Sequence, residues 1–308
     1  MKITDEQKKE HVKVTVAVTA AIIELILFWV VAFNIFSLAD AAVHRKINPF
    51  AFGNNTGVCE TEDFKYKFTV KVDILWHFFP YAEWKVEVLG LTEAGKQKEE
   101  IVIPEKVKGS KVIKITEKKS KKVKTTWASE RLKKISVPVG DNSALAENLF
   151  GGCPNLEKVV LSKSNDTNIK ISTANSPNLK VYVSGKNYDE DVHKGSNFYK
   201  SIGDGYASVY FANVSFMYNY SDAPNGGYFY IDDCEYGGLV REPHTVPGRN
   251  FLSFDGWYKS ASGYDGQHSP GGGEWYFDSV TLPEAEIVDG VVQYHETKIY
   301  ADWRGMIL

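Results

Sequence analysis

The sequence predicts a mainly β protein with one apolar helix near its N-terminus. Three observations lead to this fold class. From residue 64 onward, apolar and polar residues alternate in short segments, as they do in half-buried strands. A segment that begins with Leu recurs at spacings of 24 and 23 residues, and an apolar run of 25 residues precedes both features. With 308 residues, 43% of them hydrophobic, the chain is long enough for two or three domains with buried cores.

The apolar run covers residues 14–38 and predicts a transmembrane helix, because about 20 apolar residues span a bilayer. Glu24 opposes insertion by roughly 2.5 to 3.5 kcal/mol, whereas the apolar side chains favour it by roughly 4 to 9 kcal/mol. Four lysines precede the run, which favours a cytoplasmic N-terminus. We therefore expect residues 1–39 to form a cytoplasmic tail and a signal-anchor in the cell membrane, with the C-terminal part extracellular. A cleaved signal peptide ending near Ala39 or Ala41 is the alternative, and it would give a secreted protein.

Residues 40–58 lack periodicity and contain Pro, Gly and Asn, so they predict a linker. Residues 59–190 are expected to form a β segment. Its first strands are predicted at "FKYKFTVKVDILW" (64–76) and "WKVEVLGL" (84–91), where the alternation is regular.

A repeat follows within this β segment. The units "LKKISVP" (132–138), "LEKVVLS" (156–162) and "LKVYVS" (179–184) each place a short alternating strand behind a Leu, and "IVIPEKVKGSKVIKI" (101–115) is a looser copy. One such unit cannot bury its apolar face alone. The repeat therefore predicts a stack in which the short strands lie side by side.

These units resemble the BspA-type leucine-rich repeats of bacterial surface proteins. The resemblance covers roughly residues 84–185, although the lysine-rich interval 116–131 departs from the pattern. It implies a leucine-rich-repeat-like β stack. The residues that carry it are Ile103, Pro104 and Gly109 in the first copy, and Phe150, Gly152, Cys153, Asn155, Leu156 and Val159 in "ENLFGGCPNLEKVVLS".

The C-terminal part, residues 207–304, resembles the internalin-type B repeat, also called the Listeria-Bacteroides repeat. The resemblance implies a β-grasp-like module in which Trp257 and Trp303 belong to the core, while Tyr258 or Trp275 could instead face a ligand. The matching residues are Val214, Phe216, Asn225, Gly226, Gly227, Gly237, Gly238, Pro243, Pro247, Phe254, Gly256, Trp257, Tyr258, Trp275 and the ending "IYADW" (299–303).

No motif for catalysis, cofactor binding or metal binding is recognisable, so we expect a protein without enzymatic activity and without cofactors. Cys59, Cys153 and Cys234 lie far apart and have no His at ligand spacing, which argues against a zinc site and leaves one disulfide open. The acidic runs "YDED" (188–191) and "YIDDCE" (230–235) predict solvated turns, with a weak calcium site as the alternative.

Basic residues are concentrated in one interval. Residues 104–134 contain eleven lysines and one arginine against three glutamates, whereas the whole chain has a net charge of -3. Within "KVIKI" (111–115), the lysines are expected to face water and Val112, Ile113 and Ile115 to take apolar positions. A binding site for polyanions is predicted here at Lys118, Lys119, Lys121 and Lys122. Nucleic acid is not expected as a partner, because aromatic residues do not interleave with the lysines.

Together these features predict a bacterial cell-surface binding or adhesion protein that displays a recognition face built from repeats. The expected partners are the membrane, through residues 14–38, and an anionic polysaccharide or a host or cell-surface protein. A structural spacer or stalk of the envelope is one alternative. An envelope enzyme with an unrecognised site near Trp76, His77 and Trp84 is another.

Overall fold

The computed structural model describes residues 13–29, 32, 57–73, 81–117, 126–140, 145–163, 169–193, 198–200, 203–262 and 273–305. These residues are mainly β, as the sequence predicts. The chain divides into two compact units. The smaller contains residues 1–59 and 67–85, and the larger contains residues 60–66 and 86–308.

In the smaller unit, residues 13–29 form an α-helix whose apolar side chains are exposed, with Phe28 and Trp29 each 65% accessible. At 1.5 Å per residue this helix is about 25 Å long, less than the roughly 30 Å of a bilayer core. Among the described residues, no helix has both the length and the apolar character needed to cross a membrane. The described helix therefore does not support the predicted transmembrane span, and most of residues 30–38, like the linker residues 40–56, lie outside the described residues.

The described strands are β1 (Cys59–Glu60), β2 (Phe64–Asp73), β3 (Tyr81–Leu91), β4 (Glu100–Val102), β5 (Lys106–Val107), β6 (Ser110–Ile115), β7 (Lys134–Gly140), β8 (Lys158–Lys163), β9 (Lys180–Val183), β10 (Phe198–Lys200), β11 (Ser208–Phe211), β12 (Val214–Met217), β13 (Tyr228–Asp232), β14 (Leu252–Tyr258), β15 (Ile287–Val288), β16 (Val291–Val292) and β17 (Thr297–Gly305). The short helical segments in the larger unit are the α-helix Glu190–His193 and the 3₁₀ turns Gly95–Gln97, Gly185–Asn187 and Pro224–Gly227.

The first sheet has the strand order β1-β2-β3-β6-β5. Strands β2 and β3 confirm the two strands predicted at 64–76 and 84–91 within the described residues. The looser repeat copy at 101–115 contributes to two sheets, because β4 joins the repeat strands whereas β5 and β6 form a hairpin of the first sheet. Lys108 and Gly109 turn this hairpin with φ values of 48° and 77°, the left-handed conformation that a two-residue hairpin turn requires.

The second sheet has the order β10-β11-β9-β8-β7-β4. Its strands β4, β7, β8, β9 and β11 are parallel to one another. The three predicted repeat strands therefore do lie side by side. Their register aligns equivalent positions, and the aligned row that starts at Ile101 is buried in every strand: Ile101, Ile135, Val159, Val181 and Val209. The leading leucines of the repeat, Leu132, Leu156 and Leu179, are buried as well.

The third sheet, which we call the terminal sheet, has the order β13-β12-β17-β14. Its two central strands, β12 and β17, are parallel, and each outer strand is antiparallel to its neighbour. The segment from 208 to 220 forms two strands that belong to different sheets. Strand β11 extends the repeat sheet next to β9, and β12 begins the terminal sheet after the buried residue Asn213.

The aromatic residues of the terminal part lie in its core. Trp257 and Trp303 are 3% and 0% exposed, which confirms their predicted core position. Tyr258 and Trp275 are also buried, at 1% and 8%, so these side chains do not present a platform for a ligand. Phe216 packs edge-on against Trp257 with ring centres 4.9 Å apart. Large aromatic residues of this kind contribute most of the buried area of a small core.

Candidate functional site

The face of the repeat sheet that points away from the stack core is covered at its centre. Val160 and Tyr182 belong to this outward row, because they alternate with the buried row of Val159 and Val181. Both are nevertheless buried, in a cluster with Ala212 and with Tyr228 and Ile231 from β13. The central part of the face that repeats offer for recognition is therefore occupied by the chain's own terminal sheet.

Ion pairs accompany this apolar contact. The Nζ atom of Lys134 lies 2.5 and 2.6 Å from the two carboxylate oxygens of Asp232, and 3.3 Å from Oε1 of Glu100. The Nζ atom of Lys158 lies 2.8 Å from Oδ2 of Asp233. The prediction of a solvated turn for "YIDDCE" is thus wrong at both aspartates, because lysines from the repeat strands bind them.

The surroundings of these ion pairs shift the pKa values of Lys134 and of the neighbouring Cys234. Burial lowers the pKa of the Lys134 ammonium, but the charges of Asp232 and Glu100 and the hydrogen bond to Asp232 together outweigh burial, so the pKa lies well above its ordinary value. Burial raises the pKa of the Cys234 thiol to about 12, and the charge of Asp232 adds to this effect. Lys134 is therefore a buried cation and Cys234 an unreactive thiol at neutral pH.

The predicted polyanion site, Lys118, Lys119, Lys121 and Lys122, lies outside the described residues. The neighbouring β5–β6 hairpin is described and carries a comparable set of basic side chains. Val112 and Ile115 are buried as predicted, whereas Ile113 is 36% exposed because it lies on the solvent side of the hairpin. We call the following four exposed residues the hairpin lysines: Lys106, Lys108, Lys111 and Lys114. Within the part of the chain that the structure describes, none of the four forms an ion pair.

A groove adjoins the hairpin lysines. It has a volume of about 520 Å³ and is lined by Pro104, Glu105, Lys106, Tyr218, Pro224, Phe229, Thr245, Val246, Gly248, Arg249 and Asn250. The Tyr218 hydroxyl donates a hydrogen bond to Oε2 of Glu105 at 3.2 Å. Burial raises the pKa of the Tyr218 phenol, which therefore stays protonated and keeps this donor. The groove thus lies between the β5–β6 hairpin and the terminal sheet, and Lys106 is one of its lining residues.

Arg249 places a second cation on this groove. Its guanidinium lies 4.5 Å from the centre of the Tyr220 ring and 5.9 Å from the centre of the Trp303 ring. Cation–π contacts of this geometry hold the charged group against an aromatic surface. The groove therefore carries two cationic side chains, Lys106 and Arg249, beside the partly buried ring of Phe229.

The structure also bears on the metal site and the disulfide that the sequence raised as alternatives. Among the described residues, no group of three or more His, Cys, Asp or Glu side chains could hold a metal ion. No disulfide joins Cys59, Cys153 or Cys234, so the disulfide left open by the sequence is not formed. Burial raises the pKa of Cys153 to about 11, as expected for a packed rather than a reactive thiol. Trp76 and His77, the centre of the alternative enzyme site, lie outside the described residues.

No protein-family model matches this chain, and a search of curated proteins likewise finds no match.

Proposed function

We propose that the protein is a non-catalytic bacterial surface protein that binds anionic polysaccharides through its β5–β6 hairpin. The observation that carries this proposal is the set of four exposed hairpin lysines without an ion pair in the described structure. The charge of a lysine without a carboxylate partner is not compensated within the protein, so it can attract an anionic ligand. The positive potential of a cluster raises the local concentration of polyanions and speeds their association.

The surrounding chain supports the same ligand class. The remainder of the protein is acidic, so the basic interval is the part that attracts a polyanion. The predicted site residues, Lys118, Lys119, Lys121 and Lys122, belong to the same basic interval of the sequence. The adjoining groove adds a further cation, Arg249, and the partly buried ring of Phe229.

Replacing the four hairpin lysines with glutamine is expected to weaken binding to heparin or to teichoic acid about tenfold. Four exposed charge contacts contribute roughly 0.3 to 0.5 kcal/mol each, and 1.4 kcal/mol corresponds to a factor of ten. Binding of the unmodified protein should also fall as salt is raised, because the Debye length is only about 8 Å at physiological ionic strength. Affinity chromatography and titration calorimetry at low salt measure both effects.

A charge-matched control separates a local site from the effect of net charge. It replaces four exposed lysines on other elements with glutamine: Lys170, Lys180, Lys186 and Lys259. This control is expected to bind like the unmodified protein. A third variant, with Lys118, Lys119, Lys121 and Lys122 changed to glutamine, measures how far the site extends. Equal losses in the hairpin variant and the control would refute a site on the hairpin.

For location, we propose that the N-terminal apolar segment holds the protein in the cell membrane with its C-terminus outside. The apolar run of residues 14–38 in the sequence and the lysine bias before it support this topology. Protease added to intact cells is expected to remove a C-terminal tag. Full protection of the tag would contradict the topology, and the mass of the mature chain distinguishes an anchor from a cleaved signal peptide.

We also propose both family assignments. The aligned parallel strands β4, β7, β8, β9 and β11 support leucine-rich-repeat-like stacking. The order β13-β12-β17-β14, with a parallel central pair, supports a β-grasp-like terminal module. A structural stalk remains a second candidate function, favoured by the terminal sheet that covers the centre of the repeat face. If the unmodified protein did not bind heparin or teichoic acid even at low salt, the stalk would be favoured.

A further inference from the structure

We propose that Lys134 and Asp232 join in an intramolecular isopeptide bond, with Glu100 as the group that moves the proton. The bond would connect a repeat strand, β7, to the last residue of β13. These two residues are 98 positions apart in the chain. The proposal is independent of the binding function, because none of the three residues belongs to the hairpin lysines or lines the groove.

The first argument is the geometry of the reacting atoms. The Lys134 Nζ atom contacts both oxygens of the Asp232 carboxylate, at 2.5 and 2.6 Å. An atom this close to both oxygens lies within about 3 Å of the carbon that joins them, which is a near-attack distance for amide formation. Holding two reactants in such a geometry gives effective concentrations of roughly 10⁵ to 10⁸ M.

The second argument is a second carboxylate, that of Glu100. Glu100 and Lys134 lie directly opposite one another on the neighbouring parallel strands β4 and β7. Oε1 of Glu100 is 3.3 Å from the lysine Nζ, and its other oxygen accepts a hydrogen bond from Arg241 at 2.9 Å. Glu100 is thus held beside the amine and is able to take a proton from it and return that proton to a leaving oxygen.

The third argument is the exclusion of water. The side chains of Lys134 and Asp232 are only 15% and 4% exposed. A condensation releases water, and a site closed to solvent opposes the reverse hydrolysis.

The reaction balances without any co-reactant. Glu100 takes one proton from the Lys134 ammonium, and the neutral amine attacks Cγ of Asp232 and forms the N–C bond. The C–O bond to one carboxylate oxygen then breaks. That oxygen leaves as water, with a second proton from the amine nitrogen and with the proton that Glu100 returns. The resting pair is ionic, so the neutral amine forms rarely, but an irreversible step that occurs once in each molecule tolerates a rare intermediate.

The neighbouring pair provides an internal comparison. Lys158 contacts one carboxylate oxygen of Asp233 and the main-chain carbonyl of the same residue, at 2.8 and 3.1 Å. Its side chain is 33% exposed, more than twice the value for Lys134, and the structure places no second carboxylate on it among the described residues. We therefore expect Lys158 to remain a free amine.

Intact-mass measurement and a tryptic map of the purified full chain test the proposal. The expected mass is about 18 Da below the value calculated from the sequence, because one water is lost. Trypsin should fail to cleave after Lys134 and should release residues 134–158 joined to residues 201–241. Cleavage after Lys158 is expected to proceed normally, since that amine stays free.

Three variants refine the test. Lys134→Arg retains the positive charge but has no primary amine, and Glu100→Gln removes the proton acceptor, so both should have the full calculated mass. Lys158→Arg should still lose water. An unmodified wild-type mass, normal cleavage after Lys134, or a water loss that maps to other residues would each overturn the proposal. The wild-type map decides the question even if a variant does not fold.

Discussion

Replacing Trp303 with alanine is expected to lower the free energy of unfolding by about 3 to 5 kcal/mol, the usual cost of removing a fully buried aromatic side chain. The indole is completely buried, and its Nε1 donates a hydrogen bond to the Tyr218 carbonyl at 2.6 Å. The ring also packs edge-on against Tyr220 and Phe254. The substitution therefore empties the core of the terminal sheet and leaves a buried carbonyl without its donor.

Chemical denaturation followed by circular dichroism measures this loss. Trp303→Phe is the matched control, because it retains an aromatic ring while removing the N–H donor and a smaller part of the buried volume than alanine does. We expect the control to cost about 1 to 3 kcal/mol, the penalty for a buried polar group that loses its partner. If the alanine variant unfolded at the same denaturant concentration as the unmodified protein, Trp303 would not be a core residue.

Replacing Ile231 with aspartate is expected to cost more than about 4 kcal/mol and to separate the terminal sheet from the repeat sheet. Ile231 is fully buried in the cluster with Val160 and Tyr182. A carboxylate at this position would be buried without a positive partner, in contact with two apolar surfaces. Thermal unfolding and limited proteolysis should then show a repeat sheet and a terminal sheet that melt and are cleaved separately.

Ile231→Val is the control for this second experiment. It removes one methylene group and should cost only about 0.5 to 1.5 kcal/mol, with a single unfolding transition. An aspartate variant that unfolded in one transition near the temperature of the unmodified protein would show that the contact through β13 is dispensable. The outcome bears on recognition too, because separation of the two sheets would expose the centre of the repeat face.

The hairpin lysines were predictable from the sequence, whereas the adjoining groove was not. The hairpin lysines were within reach, because lysine side chains are mostly exposed whereas large apolar side chains are mostly buried. That argument was correct for Lys111, Lys114, Val112 and Ile115, and it was wrong for Ile113, which follows Val112 and points to the opposite side of the strand. The groove was not predictable, since its lining comes from segments between 104 and 250 that meet only in the folded chain.

By itself, the sequence determined the mainly β fold, the strands 64–76 and 84–91, the side-by-side repeat strands and the burial of Trp257 and Trp303. Each of these follows from local periodicity or from the need of large apolar side chains to leave water. Only the tertiary structure decided that the outward face of the repeat sheet is covered at its centre. It also decided that Asp232 and Asp233 bind lysines 98 and 75 residues away. The physical reason is that a charged side chain has the same local pattern in a solvated turn as at a buried contact, and its partner is specified by long-range packing rather than by neighbouring residues.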